Sequence, residues 1–125
     1  MSARVGWIQI DCRDPDGLRA FWAEVLGLKD DPAPAPPAFR CLAAGSPAGV
    51  GICFQRVPEP KVVKNRVHLD IVVSDIAATT TLIEGLGGHR RGTPSDHHEA
   101  GWSWRTMADP GGNEFCLVPA PDDPG

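Results

Sequence analysis

The stretch NRVHLDIVVSD, Asn65 to Asp75, sets an imidazole and a carboxylate two residues apart, at His68 and Asp70. Its apolar, β-branched composition is that of a strand, and a strand points both side chains to the same side. A histidine titrates near neutral pH, and a carboxylate beside it orients the ring or steadies its positive charge. The pair therefore has the chemistry of a general base or of a polar anchor for a ligand. In so apolar a strand, either the two are hydrogen-bonded in place or their face lines a cavity that uses them.

The elements that must position the pair emerge from a repeat. Sliding the chain against itself by 61 residues sets Asp14 on Asp75, Ile10 on Ile71, Gly27 on Gly88, Phe54 on Phe115 and Pro58 on Pro119. One offset joining separated blocks points to a duplicated unit. In the first copy VGWIQIDC, residues 5–12, alternates as a strand. Asp14 is then a helix N-cap with Pro15 at the first helical position. Leu18, Phe21, Trp22, Val25 and Leu26 recur at helical spacing as core residues, and Gly27 stops the helix. FRCLAA and GVGICFQRV read as further strands. The second copy repeats the pattern: RVHLDIVV as a strand, and a helix capped by Ser74 or Asp75 that carries Ile76, Leu82, Ile83 and Leu86 inward. A short strand near Gly88–Gly92, a loop TPSDHHEAG, a strand WSWRTMA, a tight turn DPGGN and a last strand EFCLVP complete it. The expected fold is α+β: two βαβββ modules, residues 1–60 and 61–125, in one domain of 125 residues, with a helix on one face of each sheet and a cleft between curved mixed sheets.

Strand parity then selects candidates. Ile8, Ile10 and Cys12, with Leu69, Ile71 and Val73, form the apolar face that belongs under the helices. The opposite parity holds Trp7, Gln9 and Asp11 in one copy, and His68, Asp70 and Val72 in the other. In the last strands Cys53, Gln55 and Val57, and Glu114, Cys116 and Val118, take that same side. By the repeat, His68 matches Trp7 and Cys116 matches Gln55, so these four are expected to converge on one cavity.

Together CRDPDGLRAFWAEVLGL, NRVHLDIVVSD and DPGGNEFCLV resemble the vicinal oxygen chelate superfamily, from about Val5 to Val118, and most closely its small glyoxalase-like domain proteins. That superfamily holds glyoxalases, bleomycin-resistance-type binding proteins and extradiol dioxygenases. The resemblance implies a metal-binding place at the four matched positions, where metal-using members carry His, Glu or Gln. Here Trp7 stands at the first, and an indole N–H donates but has no lone pair for a metal. His, Cys and an amide oxygen make a poor set for Mg or Mn and an incomplete one for zinc. No metal or other cofactor is therefore expected; were one held, His68, Gln55 and Cys116 would be its ligands.

The expected ligand-binding residues are Trp7, Gln9, Gln55, His68, Asp70, Trp104, Glu114 and Cys116, with His68 and Asp70 as the catalytic candidates if there is chemistry. Trp7 offers a flat wall to a planar ligand. The run SDHHE is expected as solvated loop and HRRG as a solvated edge. Trp102 and Trp104 share a face, expected at the cavity or a subunit interface. A net charge of −4 argues against nucleic acid, and no apolar run is long enough to span a bilayer. The N-terminus lacks a hydrophobic signal core, so a cytoplasmic protein is expected. Cys12, Cys41, Cys53 and Cys116 are then expected as buried free thiols. VPEPKVVK reads as a linker between the modules and PAPDDPG as a frayed tail. Three functions fit: binding of a small organic ligand without the standard metal; a metal-dependent lyase or dioxygenase; or sequestration of a toxic compound. The resemblance adds a homodimer.

Overall fold

A computed structural model describes residues 2–120, and the chain divides into two compact units, Met1–Lys61 and Val62–Gly125. The first unit runs β1 (Trp7–Cys12), α1 (Pro15–Leu26), β2 (Phe39–Leu42) and β3 (Gly51–Arg56). The second runs β4 (Leu69–Val73), α2 (Ile76–Gly85), β5 (His89–Arg90), β6 (Asp96–Glu99), β7 (Trp102–Ala108) and β8 (Glu114–Pro119). The α+β class is as the sequence leads one to expect.

In the first unit the sheet order is β1-β3-β2, with β1 parallel and β2 antiparallel to β3. A fourth strand is reduced to a bridge between Asp30 and Leu42, flanked by bonds from Asp31 N to Cys41 O and from Ala43 N to Lys29 O. The ladder fails to extend because Pro32, Pro34, Pro36 and Pro37 follow and lack amide donors. Helix α1 begins where Asp14 accepts from the Gly17 amide at 3.1 Å, with proline at its start, and ends at Gly27, whose φ of 65° is the left-handed conformation glycine adopts freely. Its stripe of Leu18, Phe21 and Trp22 is buried with Leu42, Ile52 and Phe54. Burial of each such side chain contributes about 1.5–3 kcal/mol. Arg40, on the same face of β2, donates to Asp16 at 2.8 Å.

In the second unit the order is β4-β8-β7-β5, with β6 pairing on β7 beyond β5's short reach. Asp75 caps α2, accepting from the Ala78 amide at 2.9 Å. The helix packs on β5 and β8, with Ile83, Met107, Phe115 and Leu117 fully buried or nearly so. Leu82, expected inward, is instead exposed, and Thr80 takes the buried place. The Thr80 hydroxyl donates to Ile76 O at 2.7 Å and accepts from Arg105 Nη1 at 2.9 Å, so a polar link pins α2 to β7 where an apolar contact was expected.

Four further expectations are corrected. The run SDHHE is not a loop: Asp96–Glu99 is strand β6, and Ala100 and Gly101, both with positive φ, turn the chain into β7. The first strand of the second unit begins at Leu69, so His68 stands just before it. Cys41 and Cys53 are not free thiols but a disulfide, while Cys12 and Cys116 are free and buried. Cys41 lies directly opposite Cys53 in the β2–β3 ladder, a proximity that only the register creates. Of the expected tail, Pro119 belongs to β8 and the Ala120 amide bonds Val73 O at 2.9 Å, while residues 121–125 lie outside the described residues.

The ladders also correct the repeat. Ile8 pairs with Ile52, whereas its counterpart Leu69 pairs with Phe115; likewise Gln9 pairs with Cys53 and Asp70 with Cys116. The counterpart of Cys116 is therefore Cys53, two residues from Gln55.

Candidate functional site

The helix-free face of the second unit carries the clearest constellation. His68 precedes β4, Asp70 lies in it, and Cys116 is the residue that β8 sets opposite Asp70. A ligating atom from each, one nitrogen, one oxygen and one sulfur, lies within 4.8 Å of the others. His68 and Asp70 are exposed, and Cys116 is 5% exposed. Among the described residues neither the His68 nor the Asp70 side chain has a hydrogen bond or ion pair, so Asp70 does not orient His68 through one.

Cys116 is different in kind. Its thiol meets the Thr106 hydroxyl at 3.8 Å. Burial pushes the thiol pKa up, the Thr106 bond opposes this, the Asp70 charge raises it further, and the Lys64 charge lowers it. The net direction is upward, which leaves a neutral thiol at physiological pH rather than a nucleophilic thiolate.

Along the same face β7 presents Trp104 and Thr106, and β6 lays His97 against Trp104. Their rings stack with centroids 5.2 Å apart and planes 17° apart. Trp102, on the same parity, is 74% exposed. Glu114 shares the face but is buried: its carboxylate accepts from the Asn65 amide at 2.9 Å, and the Asn65 side chain donates back to Glu114 O at 3.2 Å. This reciprocal pair fixes the segment leading to His68. Asp109, fully buried, accepts from the Gly111 amide and from the amide and side chain of Asn113, which makes DPGGN a structural turn as expected and sets the start of β8. Beside these residues an open concavity of about 260 Å³ is lined by Lys64, Arg91, Pro94, His97, Thr106 and Glu114.

The helix-free face of the first unit is more apolar. Trp7 is 47% exposed, and its ring lies over Gly51, its ladder partner, so closely that a Cβ there would collide with it. Part of the indole is thus packed on backbone and part is left to solvent. Trp7, Gln9, Pro34, Phe39, Cys41 and Cys53 line a concavity of about 300 Å³. Gln55 shares the parity, opposite Asp11 and Phe39, and is half-buried.

The structure therefore brings together His68, Asp70 and Cys116 in one unit, with Glu114 and Trp104 on the same sheet face, and Trp7, Gln9 and Gln55 on one face of the other. Sequence reasoning missed Gly51, Lys64, Arg91, Thr106 and His97. Alternation along WSWRTMA places Thr106 on the face of Trp104, and His97 belongs to the run SDHHE, expected as loop; nothing in the sequence signals the other three.

The sequence model of the glyoxalase-like domain family matches residues 7–118, nearly the whole chain. The chain belongs to that family. It is a member of the vicinal oxygen chelate superfamily. A glyoxalase/bleomycin resistance protein/dioxygenase family enzyme from Burkholderia phytofirmans PsJN superposes with a TM-score of 0.76 at 19% identity, over 94% of this chain and 98% of that one. A glyoxalase/bleomycin resistance protein from Albidiferax ferrireducens T118 gives 0.65 at 20% identity, over 93% and 98%. The oxidase ChaP-H2 gives 0.67 at 19% identity, over 97% and 96%. At such identities these likenesses speak to the fold. No curated protein matches the chain.

The metal that the superfamily implies does not fit the matched positions of this glyoxalase-like chain. Trp7 has no lone pair to give, and its ring is committed to Gly51. Cys53, the ladder counterpart of Cys116, is consumed in the disulfide. What remains is the nitrogen, oxygen and sulfur set of the second unit, which suits zinc better than magnesium or manganese. No helix among the described residues is long and apolar enough to cross a membrane.

Proposed function

We propose that this glyoxalase-like protein binds a small organic ligand, planar in part, without the divalent metal usual in the superfamily. His68, Asp70, Trp104, Glu114 and Cys116 form the binding group of the second unit, and Trp7, Gln9 and Gln55 that of the first. The observation that carries the reading is the His68–Asp70–Cys116 group: three different polar atoms within 4.8 Å, two of them with no partner in the described chain. An exposed imidazole beside a carboxylate accepts a proton from an acidic ligand group and keeps the resulting charge next to an opposite one. The neutral thiol beneath them supplies a weak donor rather than a nucleophile. Trp7, packed on Gly51 and 47% exposed, supports a planar ligand by offering it an aromatic surface.

The test is a ligand-observed NMR screen of small organic compounds against the whole chain. Compounds that bind lose binding in His68→Ala and in Cys116→Ser and keep it in His98→Ala, an exposed histidine on β6, beyond β7 from Cys116. Binders indifferent to both site changes end the reading.

The same group favours a second reading, a metal-dependent lyase or dioxygenase, in which His68, Asp70 and Cys116 hold zinc. Elemental analysis of protein purified without chelator separates the two: one equivalent of metal, lost in His68→Ala, selects the second. Return of a bound compound unchanged after long incubation selects sequestration over turnover. We also infer a homodimer, supported by Val62, Val67, Val72 and Trp102, apolar side chains left 62–83% exposed that a second copy can cover. Light scattering that reports one chain per particle at micromolar concentration removes that inference.

A further inference from the structure

The ligand proposed above has so far only a shape. Its charge is written in the concavity of about 260 Å³ on the second unit, lined by Lys64, Arg91, Pro94, His97, Thr106 and Glu114. Lys64 and Arg91 approach it from different segments: Lys64 from the chain leading into β4, and Arg91 from just after β5, where its amide bonds Thr106 O at 2.9 Å. Among the described residues neither side chain has a hydrogen bond or ion pair. Three other cations are held in ion pairs: Arg19 to Asp30 at 2.8 Å, Arg40 to Asp16 at 2.8 Å, and Arg105 to Asp96 at 2.6 Å. Acidic residues outnumber basic ones in this chain, 16 to 12, yet two cations from separate segments border this one hollow.

We infer that the ligand carries a carboxylate, and that Lys64 and Arg91 receive it in this concavity while Thr106 and the His97–Trp104 stack flank the rest of the molecule. The inference rests on the small-ligand reading above and names its substrate class.

Three observations converge on it. The concavity joins the polar group directly, because Thr106 lines the hollow and its hydroxyl lies 3.8 Å from the Cys116 sulfur. Lys64 lines the hollow and is exposed, and its charge is felt at that sulfur, so the cation and the polar group share one neighbourhood. His97 lines the hollow while its ring is stacked on Trp104, so an aromatic surface adjoins the cations. Charge selects among anions. Glu114 lines the same wall and Asp70 lies beside Cys116, so the two cations already have carboxylates near them. Those carboxylates repel a phosphoryl group with about two negative charges more than they repel a monoanion. Arginine offers a carboxylate a two-pronged contact and lysine a point charge, and in a partly enclosed hollow such charge-assisted bonds are the stronger ones.

The experiment uses the full chain and a matched pair of probes, benzoate and benzamide, which share a ring and differ in charge. Binding is followed by amide chemical shifts of His97, Thr106 and Arg91. Benzoate is expected to bind at least tenfold more tightly than benzamide, with the advantage shrinking as salt rises. Lys64→Met and Arg91→Met each reduce benzoate affinity about fivefold or more and leave benzamide within twofold. Both positions are exposed, so the variants retain the fold. Inorganic phosphate that displaces benzoate better than acetate does overturns the carboxylate assignment. Equal binding of acid and amide, or a preference that survives the Lys64→Met/Arg91→Met double variant, overturns the inference and leaves the small-ligand reading standing. Failure of both probes to move these amides also overturns it; the reading itself falls only when screened binders ignore both His68→Ala and Cys116→Ser.

Discussion

Asp109→Ala tests whether the turn before β8 holds the candidate site in place. Asp109 is fully buried, and its carboxylate accepts from three donors: the Gly111 amide at 2.9 Å, the Asn113 amide at 3.0 Å, and the Asn113 side chain at 3.1 Å from each oxygen. Backbone bonds close the same turn, from Asp109 N to Asn113 O and from Gly112 N to Asp109 O, with Gly112 at a φ of 84°. A hydrogen bond to a charged group is worth about 1.5–3 kcal/mol. Three of them sum naively to about 5–9 kcal/mol, but they share one acceptor and do not add. The expected loss is about 3–5 kcal/mol for alanine. Asp109→Asn keeps an oxygen for the two amides and sets a second amide NH2 against that of Asn113, so about half that loss follows. Urea unfolding with the slope held constant measures both. Because β8 starts at Glu114 and carries Cys116 opposite Thr106, loosening the turn also exposes the thiol, and modification of Cys116 by a disulfide reagent accelerates in step with the lost stability. A loss under about 1 kcal/mol for Asp109→Ala, with Cys116 still protected, refutes the view that this turn sets the site.

Gly51→Ala puts a methyl group where the Trp7 ring lies, so the indole must swing outward. We expect red-shifted, more quenchable tryptophan emission and a cost of about 1–3 kcal/mol from overpacking; unchanged near-UV circular dichroism counts against the packing. Cys116 is expected to react with iodoacetamide more slowly than a free cysteine at pH 8, with its pH midpoint displaced upward, since burial favours the neutral thiol. The linkage runs the same way: the unfolded chain deprotonates first, so this contribution to stability is intact below about pH 8.5 and is lost as pH rises above it. A midpoint at or below that of a free cysteine refutes it. The Arg105 guanidinium bound to Asp96 holds that carboxyl below its ordinary value. Its contribution is therefore present above about pH 4 and lost as pH falls through the depressed pKa. Asp96→Asn should flatten the acid limb of the stability profile, by well under 1 kcal/mol because Asp96 is half exposed; an unaltered acid limb contradicts this.

Local chemistry made part of this fold legible. Asp14 with Pro15, and Asp75, announce helix starts because a carboxylate three residues before an amide is a geometric fact of the chain. Alternation in WIQIDC and LDIVV announces which face the helices cover, and the burial follows it. What stayed hidden depends on register. Cys41 and Cys53 meet only because β2 and β3 pair with those two residues opposite, and nothing in a spacing of 12 says so. Asp96–Glu99 is polar throughout, so no period distinguishes an edge strand from a loop, although its partners on β7 include the Trp104 that His97 covers.

The error in the repeat has the same origin and bears on the site. Gly51 and Gly112 match by type under an offset of 61, yet they serve different physical needs. Gly51 is flat strand beneath an indole, and Gly112 is a turn residue with positive φ. Matching them by identity displaced the last strands by two residues, a slip that preserves parity and so left every face assignment right while pairing Cys116 with Gln55 instead of Cys53. Parity is enough to say that His68, Asp70 and Cys116 share a face. Only register says that Asp70 sits opposite Cys116, and only the placed side chains show Lys64 and Arg91 converging on the adjoining hollow without partners. The chemistry of this chain is therefore better judged from the atoms its second unit gathers than from the positions at which its relatives hold a metal.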